Sequence, residues 1–306
     1  MKCFVCGNSK NFFLLNPELC KTNNYLCLNC GLVFIPKDKS YQKYYKQGGY
    51  FKESPNLSLR KELISRSLLI SQAENYVKSL LCLYIINFYN KSVLDVGCAY
   101  GEILYYLKNK YHCKVLGIEP SKETAHLGEK MFNISITQNI LEEFHTKEKF
   151  DIIICRHTLE HVDNPLLFLK KIGILLKEKG LLYLEVPNIL KPSGGFSLDK
   201  FLYEEHLQTF SAYSLFKLLE ISKLYTYEYS DYDFLKFFCG TQKKNRKKIS
   251  IINSNEIICF LQKYKKCYNF FNYLNVYVNK FKYLLKLIYF KGYDIFKYIN
   301  NKNKNV

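Results

Sequence analysis

Val93-Leu94-Asp95-Val96-Gly97-Cys98-Ala99-Tyr100-Gly101-Glu102-Ile103-Leu104 is the stretch around which the rest of the chain arranges itself. It opens as a short β-branched and apolar run, turns at Gly97, and becomes helical from Glu102, with Ile103, Leu104 and Leu107 on one face. Gly97 and Gly101 carry no Cβ, so a ligand can approach bare backbone there. The helix that follows aims its first N–H groups at the same place. The two glycines are four apart with Ala99 between them, a poor fit to the spacing G-x-G-x-x-G. The methyl of Ala99 is expected to be accommodated by a negative φ. An ordinary strand–turn–helix without a ligand is the alternative.

The next apolar run, Lys114–Ile118, ends in Glu119, where a carboxylate can accept both hydroxyls of a ribose. Asp95, the two glycines and Glu119, in this order, resemble the cofactor site of class I S-adenosylmethionine-dependent methyltransferases. The resemblance implies a Rossmann-like α/β fold with Asp95, Gly97, Cys98 and Gly101 at the methionine end of the cofactor and Glu119 on the ribose. Asn139 stands where that family usually places an acid, and is expected at the adenine edge. His157, directly after the strand Phe150–Cys155, is expected to serve the cofactor through its backbone.

The N-terminus carries a second motif. Cys3-Phe-Val-Cys6-Gly7 and Cys27-Leu-Asn-Cys30-Gly31 are two C-x-x-C knuckles, each followed by glycine. The spacing fits a tetrahedral four-cysteine zinc site, with Cys20 left as a spare. Four thiolates leave no open coordination position, so the expected role of the Zn2+ is structural.

Length and composition set the frame. With 306 residues there is room for one full α/β domain plus smaller appendages. Met1-Lys2-Cys3 runs straight into the first knuckle without a signal-peptide pattern, and no apolar run is long enough to span a bilayer. Twelve cysteines in that context point to a reducing compartment, so the expected location is cytoplasmic. The net charge of +18 is uneven: residues 241–306 hold fifteen Lys/Arg against Glu256 and Asp294. This basic, aromatic-rich tail has helical spacing. It reads either as a solvated helical pair or as a surface for an anionic membrane, which would make the protein peripheral to it. The organisation expected is a zinc module over 1–38, an aromatic linker and lead-in helices over 39–90, the cofactor-binding domain over 91–240 and the basic helical tail over 241–306. In the linker, Tyr41–Phe51 reads equally as a cover for a ligand and as packing. Leu57–Phe88 has helical periodicity.

Beyond the first strands, Ser121–Phe132 reads as a helix and Ile134–Thr137 as a strand. Asn164 and Pro165 start a helix that Gly180 stops, and Leu181–Val186 is the fifth strand. A helix over Ala212–Ser222 and strands over Tyr225–Tyr229 and Phe234–Phe238 complete the domain. Ligands in open α/β sheets sit outside the strands' carboxyl ends, so the loop after Pro187-Asn188 should border an acceptor. His157, His161 and His206 fall at these ends, and histidine is the natural base near neutral pH. Glu160 either fixes the tautomer of His161 or caps a helix. Tyr203, Glu205 and His206 are the most site-like group.

The zinc module, aromatic linker, Glu160-His161 and Tyr203-x-Glu205-His206 together resemble nucleotide-deoxysugar C-methyltransferases and the methyltransferases of surface-polysaccharide pathways. The resemblance covers about residues 1–240. It implies a nucleotide-linked or glycan sugar as acceptor, with His206 and Tyr203 in its deprotonation and His161 in the same site. Glu205 joins them from its place beside His206, and a structural hydrogen-bonding role is the alternative for the group. The chain departs from the deoxysugar enzymes in having a short basic tail where they continue into a second α/β domain. Rival readings are an RNA methyltransferase gripping phosphates through module and tail, and a zinc-ribbon scaffold without catalysis. Against specific nucleic-acid binding stand the missing Asn/Asp-Pro-Pro-aromatic motif and the remoteness of the positive charge from the cleft.

Overall fold

A computed structural model of the chain describes residues 1–16, 18–36, 65–83, 86–192, 197–243, 249 and 253–270. The aromatic linker Tyr41–Phe51 and the tail beyond residue 270 lie outside the described residues, as does the first part of the lead-in segment. Residues 1–258 form one compact unit and 259–306 a second, of which 259–270 are helical.

The main sheet has seven strands. In chain order they are β4 (Ser92–Val96), β5 (Lys114–Ile118), β6 (Ile136–Thr137), β7 (Phe150–Arg156), β8 (Leu176–Val186), β10 (Tyr225–Ser230) and β11 (Leu235–Gly240). Their spatial order is β10-β11-β8-β7-β4-β5-β6, with β8 through β6 parallel and the last two strands antiparallel. This is the Rossmann-like arrangement expected. Connections run one way from β4 and the other way from β7, so the crevice opens between their carboxyl ends, at Gly97 and His157.

Strand residues alternate between two cores, as the period of two demands. Leu94, Ile153, Cys155, Leu182 and Leu184 enter one core; Val93, Ile152, Ile154 and Tyr183 enter the other. Both faces are covered, which is why these strands read as unbroken apolar runs. The second core is closed by α1 (Arg66–Leu83), α2 (Glu102–Tyr111) and α3 (Lys122–Phe132), with Ala73, Val77 and Leu80 of α1 buried as their spacing predicts. The first core is closed by α4 (Pro165–Leu175) and α6 (Ala212–Ile221). Between them, the short α5 (Leu198–Phe201) leads into β9 (Gln208–Thr209).

Two local expectations need correction. The helix α4 ends at Leu175, and Gly180 lies inside β8. Leu176 already pairs with Phe150, and the register then jumps to Ile152 opposite Leu181. A Cβ on Gly180 would come within 2.9 Å of the Phe150 carbonyl, so the glycine serves an irregularity in the strand rather than a helix stop. The second correction, at Ala99, belongs to the site.

The N-terminal module is a small antiparallel sheet of β1 (Phe12–Leu14), β2 (Tyr25–Cys27) and β3 (Val33–Phe34), and its fourth strand is β9. Its closure therefore needs residues far beyond position 38. Cys3, Cys27, Cys30 and Phe34 share the core that holds Phe210 and Leu215.

Candidate active site

At the cofactor end, the turn after β4 is tied to β5 by Gly97 N–H and Cys98 N–H, which donate to the Ile118 carbonyl at 2.8 and 3.1 Å. Gly97 has φ +77°, and a Cβ there would collide with Thr158 Oγ1. Thr158 sits beneath the turn, with its hydroxyl between the carbonyls of Val96 and Arg156 at 3.1 and 3.0 Å. Gly101 has φ +73°, and a Cβ on it would strike Ile134 Cδ1, so it stands behind the cavity wall rather than in it.

Ala99 has φ +49°, not the negative value expected. The left-handed conformation costs an L-residue about 1–2 kcal/mol. It places the Ala99 N–H 3.1 Å from Glu119 Oε2, while Ser121 N–H reaches Oε1 at 2.9 Å. The Glu119 carboxylate is thus oriented by one backbone amide on each oxygen, and each oxygen keeps a second lone pair for a ribose hydroxyl. Burial raises its pKa to about 7 against the pull of those amides. Asp95 is also pushed up to about 7 by burial, with Arg156 opposing.

Both acids line a cavity of about 320 Å³ that also takes in Gly97, Cys98, Asn139, His157 and His161. Asn139 Oδ1 accepts from Ile140 N–H at 2.9 Å and retains one lone pair toward an amine. The cavity, the bare glycine and the aligned carboxylate fit the adenosyl and methionine parts of S-adenosylmethionine.

Residues 156 to 160 carry a charge network of which only His157 was expected at the site. The Arg156 guanidinium lies 3.6 Å from the centre of the Tyr76 ring, and its Nε is 3.6 Å from Glu185 Oε1. His157 bridges two buried carboxylates, Nε2 to Glu185 at 3.2 Å and Nδ1 to Glu160 at 3.4 Å. Burial alone would lower its pKa, but the two carboxylates raise it to about 9, so the ring is an imidazolium at neutral pH. The backbone N–H of His157 donates to the Glu185 carbonyl at 2.9 Å, and the residue lines the cavity. The sequence signal for this network was a charge set into each of two buried apolar strands, Arg156 after Phe150–Cys155 and Glu185 within Leu181–Val186.

A histidine cluster is assembled where a 3₁₀ turn, Leu159–His161, meets the 203–206 loop; His161 lines the cavity, and Tyr203, Glu205 and His206 stand behind it. Gln208, nearly fully buried, donates to the carbonyls of Leu159 and Val162 at 2.6 and 2.9 Å and holds the two segments together. The rings of His161 and His206 lie 5.0 Å apart, and the Tyr203 ring packs on His206 at 4.3 Å, tilted by 46°. His161 Nδ1 is 2.8 Å from the Glu205 carbonyl, and His206 Nδ1 is 2.9 Å from that of Phe201. A carbonyl only accepts, so both rings carry a proton on Nδ1, which leaves Nε2 as the nitrogen that can gain or lose one. The tautomer of His161 is therefore set by the main chain of Glu205, not by Glu160, whose carboxylate is 4.0 Å from Nε2. Burial, and then the neighbouring His161, hold His206 down to about 3. Donor atoms of Glu160, His161 and His206 lie within 4.8 Å of one another, a set able to take a cation or a proton. The imidazolium of His157 already supplies positive charge to Glu160.

The four expected metal ligands converge. Cys3 Sγ and Cys30 Sγ are 3.6 Å apart, Cys6 Sγ and Cys27 Sγ 3.5 Å, and all four sulfurs lie within 4.8 Å. Tetrahedral zinc with Zn–S of ~2.3 Å needs sulfurs about 3.8 Å apart. Gly7 and Gly31 sit at φ +73° and +71°, letting their N–H groups fold back onto the Cys3 and Cys27 carbonyls at 2.9 Å. The donor set fits Zn2+.

A family model described as a methyltransferase domain matches residues 70–224. Among curated proteins, (S)-tetrahydroprotoberberine N-methyltransferase of Eschscholzia californica is 30% identical over 123 residues, 38% of this chain and 35% of that protein. A ubiquinone biosynthesis O-methyltransferase of Glaesserella parasuis is 30% identical over 161 residues, 44% of this chain and 68% of that protein. The chain thus spans about a third of the first relative's length. Among solved structures, a possible histamine N-methyltransferase of Thermotoga maritima aligns with TM-score 0.49 at 17% identity, covering 64% of this chain and 100% of that one.

Proposed function

Because the chain belongs to the methyltransferase-domain family, we propose that it moves a methyl group from S-adenosylmethionine to a hydroxyl or acidic carbon of a small polar acceptor, a nucleotide-linked or glycan sugar. S-adenosylmethionine supplies a methyl group on a cationic sulfur, so the protein's task is alignment and, for such an acceptor, removal of a proton. Asp95, Gly97 and Cys98 hold the methionine end, with Gly101 shaping the turn from behind. Glu119 takes the ribose hydroxyls and Asn139 the adenine edge. His157 steadies the strand end, as a cation between Glu160 and Glu185.

One observation carries the choice of acceptor: His161, in the cavity wall, lies 5.0 Å from His206, and main-chain carbonyls engage Nδ1 of both rings and leave their Nε2 atoms for proton transfer. An amine that is already neutral needs no such pair; a hydroxyl or a carbon acid does. His206, kept neutral by burial, takes the acceptor's proton at Nε2, and Tyr203 holds the ring in place. The buried Glu160 carboxylate favours an imidazolium there, while burial and the neighbouring His161 oppose it and keep the ring a weak base. Glu160 is itself held ionised: burial opposes this, and the ion pair with His157 at 3.4 Å and the nearby histidine charge prevail. Glu205 acts through its carbonyl on His161. Cys3, Cys6, Cys27 and Cys30 hold a structural Zn2+ that completes the N-terminal module.

A screen at saturating S-adenosylmethionine, reading S-adenosylhomocysteine formation, tests the reading. Nucleotide sugars and glycan precursors form the positive arm; tRNA, catechols and cyclic amines form the competing arms. Turnover confined to amines would sink the proton-removal role, and turnover on tRNA alone would sink the small-acceptor class.

A further inference from the structure

The segment that carries Tyr203 and His206 is held at both flanks by the cysteine module. Upstream, Asp199 Oδ1 accepts from the Lys21 N–H at 2.7 Å. The Leu202 carbonyl accepts from the Thr22 hydroxyl and from Asn24 Nδ2, the latter at 3.1 Å. Asn24 is buried, and β2 begins at the next residue and ends in the ligand Cys27. Downstream, Ile35 N–H donates to the Leu207 carbonyl at 3.0 Å, and β3 pairs with β9 through Val33–Thr209 and Phe34–Gln208. A Cβ on Gly31, the glycine of the second knuckle, would sit 3.1 Å from Ser211 Oγ. Between the two grips lie residues 203–206.

We propose that the zinc module is the positioning device for the acceptor-side histidine, with Asn24 and the β3–β9 pairing as the contacts through which metal at the four cysteines fixes the 199–211 segment. The physical case is one of size. A sheet of three strands of two and three residues cannot bury enough apolar surface to hold itself together. Metal binding supplies folding free energy to such a module. What the metal organises is then passed to a segment whose own element, α5, is only four residues long. The cofactor turn makes its own bonds to β5 and to Glu119, and meets this chain of contacts through Thr158, next to the Leu159 carbonyl that Gln208 holds. The consequence for catalysis rests on the reading of His206 given above; the mechanical coupling does not.

Hydrogen–deuterium exchange on the full chain tests it, alongside elemental analysis for zinc and calorimetric titration with S-adenosylmethionine. Asn24→Ala is expected to keep zinc and cofactor affinity while amides over 199–207 exchange about five- to tenfold faster. The His206 ring, followed by NMR, should at the same time titrate closer to the ordinary value of about 6.5. Chelating the zinc should speed exchange over 199–211 by about a hundredfold or more, with 93–119 unaffected. Should Asn24→Ala lose its metal, Asp199→Ala loosens the same grip from the other side and is expected to raise exchange over 199–207. Unchanged exchange there after chelation, and in whichever of the two variants retains zinc, overturns the proposal. If instead His206→Asn proves catalytically silent while exchange responds as expected, the base assignment falls and the coupling stands.

Discussion

The cofactor turn and the histidine cluster beside it are assembled over very different stretches of chain. At the cofactor end, Ala99 and Glu119 are twenty positions apart, Glu119 and Ser121 two, and one strand–turn–helix with the next strand contains the whole arrangement. In the histidine cluster, His161 meets the main chain of Glu205 across forty-four positions. The loop between is gripped by residues 178 and 180 positions earlier. A locally built end answers mainly to its own residues. An end assembled from three remote segments inherits the stability of each, so damage far from the chemistry should reach it.

The sharpest way to break this contrast is at His206. His206→Asn should lower turnover by roughly 10²–10⁴-fold, as loss of a positioned base does, with cofactor affinity intact because nothing at the Gly97 turn changes. Steady-state kinetics on the acceptor found by the screen, with calorimetry, separates the two; wild-type turnover would make the ring structural. At the other end, Gly97→Ala forces a Cβ onto Thr158 and an L-residue into φ +77°. It should cost about 1–2 kcal/mol from the backbone conformation, and more from the collision. Weaker cofactor binding is expected together with a lower melting temperature. Normal affinity would mean that the turn can shift.

Glu119→Ala should weaken the cofactor by about 1.5–3 kcal/mol, the value of hydrogen bonds to a charged acceptor. Titration with pH sharpens this further. Asp95 and Glu119 both stand near 7 in the empty site, above their ordinary values of 3.8 and 4.5. The folded empty protein therefore binds protons that the unfolded chain has released, and these groups reduce its stability as pH rises from about 4 to 7. A ligand offering hydroxyls and an ammonium group favours the ionised forms. Cofactor affinity should therefore rise by about tenfold per group between pH 6 and pH 8, with proton release on binding near neutrality. Calorimetry in buffers of different ionisation enthalpy reads that release, and Glu119→Gln should remove its share. Flat affinity over this range would mean that neither carboxylate receives the ligand. The smallest effect is expected at Ala99→Gly, where relief of the left-handed strain and the greater freedom of the unfolded chain nearly cancel. Stability to denaturant should change by less than about 1 kcal/mol; a larger loss would reveal packing by the methyl group.

The same contrast explains what the sequence could disclose. Gly97, Glu119 and the periodicity of β4 through α2 are local, and each was legible from its neighbours. The four cysteines were legible because metal ligation imposes a spacing. The conformation of Ala99 was not, since it follows from where Glu119 needs an N–H donor. Nor was the partnership of His157 with Glu185, because those strands become neighbours only through the sheet order. The role of Gln208 was equally hidden: nothing near it in sequence announces the Leu159 and Val162 carbonyls it joins.

The late pairing of β3 has a consequence in time. Val33 and Phe34 find their partners, Thr209 and Gln208, roughly 175 residues further on. Ser254, whose hydroxyl donates to the Leu28 carbonyl at 2.8 Å, is 226 positions away. At ~5–20 residues per second on the ribosome, the second knuckle waits about ten to forty seconds for these neighbours to be synthesised. Throughout that interval β3 is an open edge strand, a template for pairing with another nascent chain. Early capture of zinc would hold the knuckles together during the wait. The cellular metal supply would then bear on how much of this protein reaches its folded form, before any question of how fast it works.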